Sequence, residues 1–283
     1  MGLIGLALAA TPCVALAQPA DLFFERTVMT AADGRCNLFT PEVSAALAAG
    51  AAQARGAALR AGVEAKALSQ RDAEARRYAA QLNCRNPQVL AEAARVQQAF
   101  SGYARVTRMH YPGEVADWRA DRGAGKNARW RLAQDATFGG GRMTFGLAGR
   151  EGANALVAVA QFADGQTPYA ARLVLRDGSR TLGPYLDTRP TAAPLSRKLP
   201  PRGATRAFLA EARSEADELL LPKGSDAGWA FRFPAAAAQA LAELDPREAI
   251  AVEFLFPGER VRTAYVEVGD FAAGRAFLQV ASR

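Results

Sequence analysis

The sequence predicts an α+β protein: an N-terminal helical hairpin or three-helix unit clasped by one disulfide, then a mostly antiparallel β-sheet or sandwich with packed helices. Three observations predict it. Apolar residues recur at three- and four-residue steps between Val43 and Phe100. From Arg129 onward the period falls to two, with tight turns between short apolar runs. Cys36 and Cys84 bracket the first two helices of this stretch, a hairpin with one cysteine at each end.

Met1 to Ala17 read as a secretory signal. An apolar run from Leu3 to Ala10 is broken by Pro12, and Ala15-Leu16-Ala17 is an A-x-A cleavage pattern before Gln18. No Lys or Arg precedes Arg26, so the n-region is atypical and the true start is expected upstream. Cleavage removes Cys13 and leaves Cys36 and Cys84 as one possible pair. Export and a disulfide support each other, because the periplasm is oxidising. No later window offers ~18 uncharged apolar residues, so no transmembrane helix is expected after cleavage.

Residues 18–110 are expected as an α-helical domain, with Ala20 to Gly34 as an extended lead-in. Thr40-Pro41-Glu42 starts a helix that Gly62 ends. Ser69 and Asp72 have capping-box spacing and start a second helix, closed near Asn83. Asn86-Pro87 opens a third, with Leu90, Ala93, Val96 and Phe100 on one side. Short connections make neighbouring helices antiparallel, which brings the two cysteines together.

Residues 111–128 carry charges and turn residues and are expected as a linker to an antiparallel α+β domain over 129–283. In the first strand, Trp130, Leu132 and Gln134 share one face and Arg129 and Arg131 the other, so Trp130 is expected in the core and the arginines in solvent. Ala155 to Phe162 and Tyr169 to Arg176 flank Asp164-Gly165, a hairpin signal. Gly183 to Gly203, with five prolines, reads as a surface loop, and Thr205 to Ala212 as a strand. Trp229 to Phe233, Ala249 to Phe256 and Val261 to Val268 read as strands. Pro234 and Asp270 start helices.

The chain has 283 residues and a net charge of +7, with 35 Lys and Arg against 28 Asp and Glu. Lysine occurs only at Lys66, Lys126, Lys198 and Lys223. Arginine-dominated basicity with abundant Ala, Gly and Pro fits a GC-rich bacterial coding bias.

Catalytic constellations are sparse. His110 is the only histidine, and no G-x-S-x-G elbow is present. His110 stays a candidate pH-sensitive group, since imidazole titrates near neutrality. One His and two separated Cys do not supply a zinc set, and no metal or other cofactor is expected. Gly123-Ala124-Gly125-Lys126 fails as a phosphate loop because Ala120 and Asn127 replace the required Gly and Ser/Thr. Gly139-Gly140-Gly141-Arg142 reads as a hairpin turn rather than an anion nest.

Arg119, Arg122, Lys126, Arg129 and Arg131 form the sharpest binding candidate, a contact for an acidic envelope glycan, lipid headgroup or protein. The expected function is a non-enzymatic, periplasmic or secreted protein that binds or organises envelope components. A carboxylate-dependent hydrolase using Glu211, Glu215, Asp217 and Glu218 is the alternative. A basic nucleic-acid binder is a second, only if the leader is not a signal; otherwise no nucleic-acid partner is expected.

Overall fold

A computed structural model describes residues 18–103, 105–150, 155–181, 183–186 and 193–279. The expected signal, Cys13 and Pro190 lie outside them.

Four helices come first: α1 Pro19–Cys36, α2 Pro41–Arg60, α3 Ala65–Gln81 and α4 Pro87–Tyr103. The strands β1 Arg108–Tyr111, β2 Trp118–Asp121, β3 Arg129–Phe138, β4 Gly141–Gly149, β5 Ala155–Phe162 and β6 Ala170–Arg176 follow. Next come β7 Thr205–Leu209, β8 Ala212–Glu215, β9 Trp229–Phe233, α5 Ala235–Ala242, β10 Ala249–Phe256, β11 Arg260–Glu267 and α6 Phe271–Leu278.

The lead-in is a helix, not an extended segment. Pro19 takes the first helical position, Asp21 lies in the first turn, and Asn37 ends α1 in the left-handed region at φ 51°. Thr27 and Thr30 are weak helix formers, but each hydroxyl donates to the carbonyl four residues back. Burial of Phe23, Val28, Met29 and Ala32 between α2, α3 and α4 outweighs propensity.

The start of α3 also differs from expectation. It begins at Ala65, and Ser69 donates back to the Ala65 carbonyl rather than capping. Leu68 is buried, which draws the chain into helix one turn early. Cys36 and Cys84 are bonded, with Cα atoms 5.5 Å apart, so the clasp joins the C-terminal ends of α1 and α3.

Eleven described strands form two antiparallel sheets. The larger runs β1-β2-β3-β4-β5-β9-β8 and the smaller β11-β10-β6-β7. Their inner faces share one core, in which Phe231 meets Phe254 with ring centroids 5.5 Å apart. Leu241 of α5 and Phe271 and Phe277 of α6 pack into the same core.

Asp164-Gly165 is not a hairpin. β5 pairs with β4 and β9, whereas β6 pairs with β10 and β7, so the chain crosses between sheets there. A local turn signal is the same whether the chain folds back in plane or steps to a facing sheet. The stretch expected as a linker contains β2, whose Trp118 is fully buried against Phe145 and Phe271.

The helices meet the sheets through α2 and α6. Asp270, at the start of α6, does not cap it; both carboxylate oxygens accept from Arg60, at 2.8 and 2.9 Å.

Candidate functional site

At one end of the larger sheet several cations converge. Arg108 faces Asp121 in the β1–β2 ladder, and Arg129 faces Gly149 in the β3–β4 ladder. The segment before β1, the β2–β3 loop and the end of β4 therefore share an edge. They carry Arg105, Arg108, Arg122, Lys126, Arg129, Arg131 and Arg150. Asp121 is the one carboxylate in the described segments 105–108, 121–131 and 149–150, and Arg108 occupies it at 3.0 Å.

The five residues singled out by spacing do not form one surface. Arg119 lies on the exposed face of β2, paired with Asp135 at 2.8 Å. His110 is opposite it in register and equally exposed. Lys126 is exposed at the loop tip, and Arg129 is half-buried, donating to the Ala124 carbonyl at 2.6 Å.

Arg122 and Arg131 are buried, contrary to the solvated face expected for the arginines. The ladder between β3 and β4 shifts register between Trp130 and Leu132, which makes Arg131 the bulged residue. A bulge re-aims the side chains around it. Trp130 joins Val157, Val159 and Leu221 in a small outer cluster and donates its Nε1–H to the Leu220 carbonyl at 3.1 Å. Leu132 enters the main core, and Arg131 turns under the loop, where its Nη1 donates to Gly123 O at 2.6 Å.

Arg122 donates from Nε to Val106 O at 2.6 Å and from Nη2 to Tyr103 O at 2.8 Å, and its guanidinium lies 4.3 Å from the Phe277 ring centroid. Burial pulls this guanidinium below its ordinary pKa. The Tyr103 and Tyr111 hydroxyls are 3.2 Å apart, and burial raises both phenols, so both remain protonated at neutral pH.

The opposite end of the same strands is fixed by a carboxylate. Buried Glu267 accepts from the backbone N–H groups of Glu114, Val115 and Ala116 at 2.8, 2.8 and 3.0 Å. Gln134 joins it, accepting from the Glu267 N–H at 2.8 Å. This network ties the β1–β2 loop to the end of β11.

Glu211, Glu215, Asp217 and Glu218 are exposed along β8 and the following turn, where Asp217 accepts from the Leu219 N–H. They line none of three clefts among the described residues, beside α1, the β5–β6 crossing and α5. The cleft beside α5, about 370 Å³, carries Arg176, Asp177, Arg206 and Glu243, but Arg176 is held by Glu248 at 2.7 and 2.9 Å. Gly139 and Gly140 form the β3–β4 turn, and Gly141 opens β4. Among the described residues no group of three His, Cys, Asp or Glu is arranged to hold a metal ion, and no helix is long and apolar enough to cross a membrane.

Spacing drew attention to the β2–β3 arginines, but Arg105, Arg108 and Arg150 carry no local signal; strand register alone brings them to this end. No protein-family model, curated protein or solved structure matches the chain.

Proposed function

We propose that this protein is an exported, non-enzymatic binding protein that holds an anionic component of the bacterial envelope at the basic end of its larger sheet. One observation carries the reading: Arg105, Lys126 and Arg150 are exposed there with no carboxylate ion pair among the described residues. Cations left unpaired in a cluster raise the local concentration of an anionic partner. The disulfide supports an oxidising compartment.

The test is sedimentation with purified peptidoglycan sacculi and, separately, with phosphatidylglycerol vesicles, at low and high salt. Binding is expected to weaken with salt and to fall in the variant R105S/K126S/R150S. Absence of binding to either, or binding unchanged in that variant, overturns the reading. Compartment is checked by the intact mass of native protein: loss of Met1 to Ala17 and a gain of two hydrogens on reduction are expected. Free thiols with the leader retained would redirect the cationic end to nucleic acid.

A further inference from the structure

Arg131 is 3% exposed, and its Nε and Nη2 have no hydrogen-bond partner. These two atoms form one edge of the planar guanidinium, the edge whose parallel N–H groups grip two oxygens at once. Elsewhere this chain uses that edge on carboxylates. Arg176 places Nε and Nη2 on the two oxygens of Glu248 at 2.7 and 2.9 Å. Arg247 does the same with Asp245, at 3.0 Å each, and Arg76 with Asp72 at 2.7 and 3.3 Å.

No such oxygen pair reaches Arg131 among the described residues. A buried charge is strongly disfavoured unless an opposite charge compensates it. We propose that Arg131 anchors a site for an oxyanion, a carboxylate or phosphate group, that enters beneath the β2–β3 loop.

The loop is built to admit it. The β2–β3 ladder is confined to Arg119 and Ala120 against Ala133 and Leu132, so no β2–β3 ladder pairing ties the loop down over Arg131. Arg129 and Arg131 hold the loop through the neutral carbonyls of Ala124 and Gly123. An anion is the stronger acceptor and displaces such contacts. Ala124, Lys126 and Asn127 are exposed, and the Lys126 ammonium lies on the same loop. The inference deepens the binding reading above by naming the group recognised.

The experiment measures thermal unfolding of the full chain with sodium phosphate, sodium galacturonate or sodium chloride at matched ionic strength. Phosphate or galacturonate is expected to raise Tm beyond chloride, and whichever responds identifies the source of the oxyanion. R131M is expected to lose this increment. R131K keeps the charge but lacks the two-pronged edge, and is expected to weaken the apparent affinity by about tenfold or more.

An equal increment in wild type and both variants, meaning ions on exposed cations only, overturns the site. So does a wild type that responds to neither anion. Should R131M fail to fold, the Arg131 Nε–H resonance of wild type decides: a shift on adding phosphate supports the site, and an unmoved resonance overturns it. Sedimentation with envelope material that persists without any Arg131 response sinks this inference alone; loss of sedimentation sinks the broader reading.

Discussion

A Cβ on Gly146 would stand 1.9 Å from the Leu132 carbonyl oxygen, and Gly146 has φ 151°. Gly146 pairs with Ala133, next to the bulge at Arg131, which lies opposite the step from Leu147 to Ala148. G146A is therefore expected to cost about 3 kcal/mol, read as a lower urea midpoint, and to increase hydrogen exchange at Arg131. A second residue-level test concerns Asp164, whose carboxyl is lowered from 3.8 to about 2, chiefly by the hydrogen bond from Arg262. A folded pKa below the unfolded one stabilises above the unfolded value and fades as pH falls through the folded one. Wild type is expected to lose more stability than D164N between pH 3.8 and about 2. Parallel acid titrations of the two proteins would refute the pair's contribution.

The disulfide spans 48 residues and ties the ends of α1 and α3. The chain-entropy model gives roughly 4 kcal/mol for closing such a loop. C36A/C84A is expected to lower stability by about that amount, measured by urea unfolding with oxidised wild type as reference. Arg35 reinforces the same junction by donating to the carbonyls of Ala79, Ala80 and Leu82 around the end of α3, where the last helical carbonyls run out of helical donors. R35A is expected to cost about 1 kcal/mol and to raise exchange in the last turn of α3. Strand pairs show why elements were easier to foresee than their partners: β5 and β6 fall close to the expected ranges, yet they belong to different sheets.

Helices and sheets are joined across the molecule by Arg60 and Asp270, with the Asp270 side chain 3% exposed. Gly56 permits the approach, since a Cβ there would lie 2.6 Å from Asp270 Oδ1. Removing one partner of a pair that buries its carboxylate leaves that charge uncompensated. R60A is expected to cost about 3 kcal/mol and to split a single urea transition into two, with the helical unit unfolding first. One transition shifted by less than about 0.5 kcal/mol would show that apolar contacts alone hold α2 on α6.

The sequence by itself determined the α+β class, the cysteine pair, the ranges of β9 and β10, and the proline-led starts of α2 and α4. These features depend on period, caps and composition, which act within a few residues. It did not reveal α1, because weak local helix signals there are overruled by burial against helices distant in sequence. It placed Arg131 in solvent because alternation along a strand assumes an unbroken ladder, and one bulge opposite the Leu147–Ala148 step turns the side chain inward. Only the tertiary structure decided that Arg105, Arg108 and Arg150 join the β2–β3 arginines, since strand register rather than sequence spacing sets which loops share an end of a sheet.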